Sequence, residues 1–266
     1  MSLDQILPAI QTEMGQLAGR FQWEINPVPE NDTENIEQNS LIRKLPTDVR
    51  HRLLSMGKCR TWEQGEVVYR PGQEIESVYF PLDAMTSVMV NLRNDRAIEV
   101  LTIGPDGFIG VAVLCGCLES DREVVVSATG AMLGIEVGPF LSLTKAEPAF
   151  RETLHHFMLT VKFQSSQKTA CSQLHPTEQR LCWWLLTCAD ATGQQELAIT
   201  QQHLSWILGV RRATVTEILQ MLRDEGCISY RRRRIVIEDR PALIDRCCEC
   251  YTTVESYKQQ LLEVAP

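Results

Sequence analysis

The stretch 199–239 constrains this chain most, because two short helical patterns meet there at a single glycine. Thr200 is a good N-cap for the first pattern, since its hydroxyl can accept a hydrogen bond from a free helix N–H. Gly209 stands where the chain must turn sharply, and glycine enters positive φ at little cost. The second pattern has apolar positions at helical spacing: Val215, Ile218, Leu219 and Leu222. This order predicts a helix-turn-helix, whose second helix enters a DNA major groove.

A basic hairpin follows the second helical pattern. Gly226 ends the helix, and two short β patterns, 227–230 and 235–237, flank four consecutive arginines at 231–234. Seven arginines and three acids lie between positions 211 and 234, although the formal net charge of the whole chain is −8. Guanidinium groups on a hairpin beside a recognition helix suit phosphate contacts. The alternative is a solvated basic hairpin on an ordinary helical domain, but here the elements of a winged helix-turn-helix are present in order.

The composition is that of a globular protein large enough for two domains. The chain has 266 residues, of which 44% are hydrophobic. No apolar run approaches the ~20 residues needed to span a bilayer, and the N-terminus lacks the basic region of a secretion signal. We therefore expect a cytoplasmic protein without a membrane partner, whose ten cysteines are reduced thiols. Much of the acidic charge lies in residues 1–40, which carry seven acids and one arginine, so it does not oppose DNA binding elsewhere.

The first half of the chain divides into two parts. Residues 1–40 form an acidic extension, with an amphipathic helical pattern at 3–23 and an apolar-poor linker after it. That helix docks either on the protein's own surface or on a partner. Residues 41–147 begin with a helical pattern at 41–57. They continue, from about 60 to 137, with short alternating strands that predict an antiparallel sandwich or barrel.

The second half also divides into two parts, and the whole chain is of the α+β class. Residues 148–174 read as one long helix, and residues 175–266 as the winged helix-turn-helix domain. The long helix has an apolar stripe, formed by Phe150, Leu154, Phe157, Met158 and Val161. The stripe suits a dimer seam. Alternatively, it packs on the chain's own β domain, and both arrangements can hold together.

Several motifs carry a family resemblance. In the β region they are Gly65, Pro71-Gly72, Val78-Tyr79-Phe80 and Gly107-Phe108-Ile109-Gly110, and in the reading domain they are the run from Leu208 to Glu217. With the order of the parts, they resemble the Crp/Fnr family of bacterial transcription regulators, over residues 41 to about 251. Residues 170–175 and 242–251 are similar to a subgroup without a known effector. The resemblance implies a β-roll like that of cyclic-nucleotide-binding domains, a homodimer and a palindromic site on double-stranded DNA. RNA polymerase is a further candidate partner.

Two departures from the family pattern bear on the effector. Members that bind cyclic nucleotides hold the ribose with a Gly-Glu turn and the phosphate with an Arg-Ser pair. Here the turn reads Gly110-Val111, which has no carboxylate, and the pair aligns with Arg122-Glu123, where a glutamate would repel the phosphate. We therefore expect no cyclic AMP in the usual mode and no cofactor. The effector, if the roll binds one, stays unidentified.

The cysteines do not form a recognisable metal motif in the sequence. Cys59 is the first of them and has no cysteine near it, so the N-terminal iron–sulfur cluster of the family's oxygen sensors is not expected. The other candidates are Cys115 with Cys117, Cys171 with His175, and Cys247 and Cys248 with Cys250. A metal site needs about four ligands, which none of these groups supplies alone. We therefore expect structural thiols and no metal.

The resemblance also assigns roles in reading DNA. Arg212, Ala213 and Glu217 match the base-reading positions. The arginine can donate to O6 and N7 of guanine, and the alanine can contact a thymine methyl group. The glutamate can accept a hydrogen bond from cytosine N4. Alternatively, Glu217 pairs with Arg223 or a neighbouring arginine and reads no base. The candidate phosphate-contacting residues are Thr200, Gln201, Gln202, Arg211, Thr214, Arg232, Arg233 and Arg234.

Other functional classes find less support in the sequence. There is no nucleophile elbow, P-loop, dinucleotide fingerprint or HExxH motif, so we expect no enzyme. A cyclic-nucleotide-binding regulatory protein without sequence-specific DNA binding is one alternative. The other is an interaction protein that acts on a partner through its acidic N-terminal helix.

Overall fold

The structure is a computed structural model that describes residues 37–92, 96–231 and 234–264. The expected N-terminal helix at 3–23 and most of the acidic linker lie outside these ranges, as do Arg232 and Arg233. No helix in the described ranges has the length and apolar character needed to cross a bilayer.

The first domain is an antiparallel β-roll, as the sequence predicts. Two helices lead into it, α1 (Ser40–Arg43) and α2 (Thr47–Met56). The strands are β1 (Gly57–Trp62), β2 (Val67–Tyr69), β3 (Ser77–Pro81), β4 (Met85–Leu92), β5 (Arg96–Ile103), β6 (Glu123–Ala128) and β7 (Gly130–Glu136). They form two sheets, with the orders β1-β7-β3 and β2-β6-β4-β5, and a 3₁₀ helix (Val111–Cys115) lies between β5 and β6. Side chains from both sheets share one apolar core.

Two further helices close this core. They are α3 (Val137–Ala146) and the long helix α4 (Pro148–Leu174). The ring of Phe108 lies 5.3 Å from that of Phe157 on α4, and the rings of Phe140 and Phe150 are 5.8 Å apart, edge to face. The apolar stripe of the long helix therefore packs on the chain's own β-roll, which is one of the two arrangements that the sequence leaves open.

The second domain has the winged helix-turn-helix order. Its elements are α5 (Thr177–Thr192), β8 (Glu196–Ala198), α6 (Gln201–Leu208), α7 (Arg212–Asp224), β9 (Ile228–Arg231), β10 (Arg234–Ile237) and α8 (Arg240–Asp245). The strands pair antiparallel in the order β8-β10-β9, so the predicted basic hairpin has a third strand. Apolar side chains of α5, α6 and α7 share a core with those of the small sheet.

A last helix, α9 (Cys250–Val264), returns to the long helix. The ring of Tyr257 on α9 stacks on that of Phe163 on α4, with centroids 3.9 Å apart. Lys258, also on α9, lies 2.6 Å from the carboxylate of Asp106 in the roll. The C-terminal helix therefore packs against both the long helix and the β-roll, although it follows the reading domain in the chain.

Candidate nucleic-acid interface

The turn between α6 and α7 is fixed by backbone geometry. The hydroxyl of Thr200 accepts a hydrogen bond from the N–H of His203 at 3.1 Å, which caps the start of α6. Gly209 ends α6 in the left-handed region at φ 67°. The N–H of Val210 then donates to the carbonyl of Ser205 at 3.1 Å, which closes the turn. These contacts fix the point at which α6 ends and the chain turns toward α7.

The helix α7 has one buried and one exposed face. Val215, Leu219 and Leu222 are buried against the domain, because they recur at three- and four-residue spacing. Arg212, Ala213, Thr216 and Glu217 are exposed in the first turns of the helix. The structure therefore brings the predicted base-reading residues together on one solvent face. Arg223, the alternative partner of Glu217, lies 3.4 Å from the carboxylate of Asp224 instead.

The predicted phosphate-contacting residues surround this face. Arg211 is the N-cap of α7 and is exposed, and Thr214 is half-buried one turn further on. The N-terminal end of a helix presents free N–H groups that favour an anion. Arg211 therefore stands where a phosphate group would be held.

Three further members of the set already have partners inside the domain. The amide oxygen of Gln201 accepts a hydrogen bond from the hydroxyl of Thr216 at 3.0 Å, which leaves its NH₂ group as a donor. Gln202 donates to the hydroxyl of Ser205 at 3.2 Å. Arg234, at the start of β10, forms an ion pair with Glu196 of β8 while most of its side chain stays exposed.

Arg180 supports the turn, a role that the sequence does not signal. Its guanidinium donates to the carbonyl of Leu208 at the end of α6, at 2.7 Å. Burial lowers the pKa of Arg180, and the neighbouring thiols Cys171 and Cys248 act in the opposite direction. The arginine lies 28 positions before the carbonyl that it binds, and no local spacing rule predicts such a contact.

A buried carboxylate joins the reading domain to the roll. Glu99 on β5 is 2% exposed. It accepts hydrogen bonds from the hydroxyl of Thr102 at 2.9 Å and from the indole N–H of Trp184 on α5 at 3.4 Å. It also contacts the hydroxyl of Ser87 and forms an ion pair with Lys168 of α4. One side chain therefore contacts the roll, the long helix and the reading domain, beside a cavity of about 150 Å³.

Cyclic-nucleotide-binding members of the Crp/Fnr family hold the nucleotide at positions that align with Gly110, Arg122 and Glu123. In this structure these three residues have neighbours within the protein. Gly110 has φ 106°, and a Cβ there would lie 2.9 Å from Val78. The guanidinium of Arg122 donates to the carbonyl of its neighbour Asp121 at 2.9 Å. Glu123 accepts a hydrogen bond from the side-chain amide of Asn91 at 2.6 Å.

Comparison with known proteins agrees with this architecture. Residues 179–246 match the sequence model of the Crp-like helix-turn-helix domain. The chain therefore contains a Crp-like helix-turn-helix domain. A protein named Global nitrogen regulator, from Nostoc sp., is 24% identical over 202 residues, which are 70% of this chain and 87% of that protein.

Solved structures share the fold of this chain. The structure of FixK2 from Bradyrhizobium japonicum superposes with a TM-score of 0.61 at 14% identity, over 72% of this chain and 98% of that one. A CRP-family transcriptional regulator from Thermus thermophilus gives a TM-score of 0.60 at 18% identity, over 70% of this chain and 95% of that one. At such low identity the likeness extends to the fold alone.

The fold also brings together two cysteine groups that are far apart in the sequence. Cys171 and His175, at the end of α4, meet Cys248 and Cys250, at the start of α9. The expectation of no metal site rested on each group taken alone. The sequence gives no signal of their meeting, because it depends on α9 returning to α4 across the reading domain.

Proposed function

We propose that this protein is a transcription regulator that binds a palindromic site on double-stranded DNA as a homodimer, with α7 of each chain in a major groove. The observation that carries the proposal is the exposure of Arg212, Ala213 and Glu217 on one face of a helix whose opposite face is buried. A helix held in this way can enter a groove without losing its own domain contacts. Half-sites read by two such helices lie about one helical turn apart.

The exposed face supplies a defined set of base contacts. Arg212 donates two hydrogen bonds to guanine O6 and N7, which discriminates by about 1–3 kcal/mol against other bases. Ala213 contacts a thymine methyl group. Glu217 accepts a hydrogen bond from cytosine N4, for which its exposed carboxylate is suited.

Phosphate contacts set the register of the complex. Arg211 and Thr214 lie at the start of α7, and Gln201 lies beside them through its bond to Thr216. Arg234 reaches the backbone from the hairpin by exchanging Glu196 for a phosphate group. From the sequence, Thr200, Gln202, Arg232 and Arg233 belong to the same set.

The dimer uses the outer face of α4, because the inner stripe packs on the roll. Six exposed positions repeat there at alternating spacings of four and three residues: His155, Leu159, Lys162, Ser166, Thr169 and Gln173. That spacing is the one that keeps a seam facing a partner helix. Most of these side chains are polar, so we expect pairing to be weak in solution and stabilised by DNA.

The β-roll does not bind cyclic AMP in the usual mode under this proposal. The turn after Gly110 has no carboxylate for a ribose, and Glu123 stands where a phosphate would need a donor. DNA binding therefore does not require this nucleotide, and no cofactor takes part.

A selection from random duplex DNA tests the proposal. Purified full-length protein is incubated with the library at near-physiological salt, once without nucleotide and once with cyclic AMP. We expect the same palindrome to be enriched in both arms. The Arg223→Ala variant serves as a control, because Arg223 is exposed on α7 but lies in its last turn. Enrichment only with cyclic AMP, or none in either arm, would overturn the proposal.

A further inference from the structure

Four candidate metal ligands converge where the long helix ends. The Sγ atoms of Cys171, Cys248 and Cys250 and a ring nitrogen of His175 all lie within 4.8 Å of one another. Cys171 and His175 are four residues apart, so they share one face at the last turn of α4. Cys248 and Cys250 flank Glu249, where the chain enters α9. Residues more than 70 positions apart thus meet at one point.

Two of the distances between these atoms match those of a tetrahedral site. The Sγ atoms of Cys171 and Cys248 are 3.6 Å apart, and Sγ of Cys250 lies 3.4 Å from Nδ1 of His175. Zn–S bonds of about 2.3 Å and Zn–N bonds of about 2.05 Å at tetrahedral angles place two sulfurs ~3.8 Å apart and sulfur and nitrogen ~3.5 Å apart. An iron–sulfur cluster would hold its ligands further apart, because several metal atoms lie between them.

The surroundings of the four ligands also suit a structural metal ion. Cys171, Cys248 and Cys250 are buried and pack with Trp183 and Val254 in a small apolar cluster of their own. Water therefore has little access to the sulfurs.

Two further side chains orient the ligands. Nε2 of His175 lies 3.3 Å from the carboxylate of Glu249, the arrangement in which a carboxylate fixes the tautomer and the ring orientation of a metal-binding histidine. The amide of Gln167 donates to the sulfur of Cys250 at 3.1 Å. Such outer contacts are a regular feature of metal sites.

We propose that Cys171, His175, Cys248 and Cys250 bind one Zn²⁺ ion, which fastens the end of α4 to the start of α9. Three thiolates and one imidazole form a closed tetrahedral set of the kind found in structural zinc sites. Binding releases the protons of the cysteine thiols, so that three thiolates and the neutral imidazole coordinate the ion.

The charges around the site are compatible with thiolates. The guanidinium of Arg180 interacts electrostatically with Cys171 and Cys248. Three thiolates and one Zn²⁺ carry a net charge of −1, which this arginine offsets. Because Arg180 also binds the carbonyl of Leu208, the zinc site is connected to the helix-turn-helix.

Metal binding by the purified full-length protein tests the proposal. The reduced protein is stripped with a chelator and titrated with Zn²⁺ against a chromophoric competitor, and separately with Co²⁺. We expect one ion per chain. The Co²⁺ form should show the intense visible bands of tetrahedral coordination and a thiolate-to-metal band in the near ultraviolet. No DNA is present, so the outcome is independent of the proposed DNA binding.

Variants assign the ligands. Cys248→Ser and Cys250→Ser should lose the bound ion, and Glu249→Gln should weaken zinc affinity about 10-fold or more. Cys247→Ser is the matched control, because Cys247 adjoins the site but is not among the four converging ligands. It should keep the ion, as should the double variant Cys115→Ser/Cys117→Ser, whose cysteines are exposed. His175→Cys should keep tetrahedral Co²⁺ with a stronger thiolate band, which guards against loss by misfolding.

Three results would overturn the proposal. The reduced wild-type protein could fail to bind Zn²⁺ or Co²⁺. The ion could be lost equally in Cys247→Ser. Finally, the protein could be purified under reducing conditions, and its free thiols counted after denaturation without reductant. The count could show that Cys171 and Cys248 are joined in a disulfide.

Discussion

Arg212 is the residue on which the sequence preference of the proposed complex most depends. It is exposed in the first turn of α7 and has a fork of donors that matches guanine. We expect Arg212→Ala to relax the preference at one base pair per half-site and to cost about 1–3 kcal/mol of discrimination. The measurement is a binding scan over all single base-pair substitutions of the selected site.

Arg234→Ala is the paired variant, because Arg234 lies on the hairpin and contacts phosphate in the proposal. It should weaken binding to all sequences alike and lower the slope of log affinity against log salt by roughly one. A change in base preference in Arg234→Ala, or none in Arg212→Ala, would show that the two contacts have been assigned the wrong way round.

A comparison of Gly209 with Gly193 distinguishes the cost of backbone strain from that of a steric clash. Both have positive φ, 67° and 66°. A Cβ on Gly209 would lie 2.9 Å from Cδ1 of Ile98, whereas one on Gly193 would meet nothing within 4 Å. We expect Gly193→Ala to lower the free energy of unfolding by about 1 kcal/mol, and Gly209→Ala to lower it further.

Urea denaturation of both variants measures the difference. Truncating the neighbour in Ile98→Ala should remove the excess cost of Gly209→Ala, because the clash is with that side chain. If the two glycine variants lose the same unfolding free energy in the wild-type background, the side chain of Ile98 moves aside without cost. The turn would then make no tight steric contact with the roll.

The glycines also show where sequence reasoning is limited. Gly209 is predictable, because it stands between two helical patterns. Gly130 and Gly134 both lie in the strand β7. A Cβ on Gly130 would lie 2.5 Å from the backbone N of Ala84, and one on Gly134 would lie 3.0 Å from the ring of Tyr79. Close approach of another segment requires glycine there, and a local pattern contains no information about that segment.

At the scale of elements, the ion pair of Glu99 and Lys168 joins β5 to α4. The side chain of Glu99 is fully buried, so removing its cation leaves an uncompensated charge. We expect Lys168→Met to lower the free energy of unfolding by about 3 kcal/mol. Arg151→Met is the control, because Arg151 is exposed on the same helix outside the proposed dimer face, and its loss should cost under about 0.5 kcal/mol of unfolding free energy. Equal losses of unfolding free energy in the two variants would mean that the buried carboxylate of Glu99 does not need Lys168 as its cation.

The helix α9 is held to the roll by Lys258 and Asp106. Burial alone would raise the pKa of Asp106, but the adjacent ammonium of Lys258 and the hydrogen bonds to the carboxylate lower it overall. Burial lowers the pKa of Lys258, but the charges of Asp106 and Glu255 outweigh it and raise the pKa. The side chain of Asp106 is 34% exposed and that of Lys258 11%. We therefore expect Asp106→Asn to cost about 2 kcal/mol, between the values for surface and buried pairs.

The pH dependence of this pair has a definite sign. A lowered carboxylate pKa contributes stability that is present above the unfolded value of about 4 and is lost as the pH falls through the folded value. A raised lysine pKa contributes stability below about 10.4, which is lost as the pH rises through the folded value. The difference in unfolding free energy between wild type and Asp106→Asn should therefore be flat near neutrality and shrink in acid. A difference that grows on acidification would contradict the assignment.

Periodicity predicted some elements and missed others for physical reasons. The long helix α4 and the pair α6 and α7 show clear apolar spacing, because each buries one face. The strand β1 (Gly57–Trp62) does not alternate, since its residues are mostly half-buried or exposed. The zinc ligands could not be grouped from the sequence, because α9 reaches α4 only in the folded chain.

At the scale of the whole molecule, the reading domain is packed on the roll. Gly209 of the turn faces Ile98, Trp184 binds Glu99, and Arg180 lies between the cysteine cluster and the end of α6. A ligand at this junction would change DNA affinity only if it bound the DNA-competent and incompetent arrangements with unequal affinity. The junction is therefore where regulation of this protein should be sought.

The most direct test of the account is the dependence of DNA affinity on half-site spacing. Each duplex carries the selected half-site twice in inverted orientation, with the half-site centres about 10 or about 15 base pairs apart. The affinity is measured for both duplexes, and the mass of each complex gives the number of chains bound. We predict that two chains bind cooperatively at the spacing of one helical turn and that an extra half turn, which moves one groove to the opposite side, abolishes cooperativity. Equal affinity at both spacings, with one chain per duplex, would contradict a dimer that reads a palindrome.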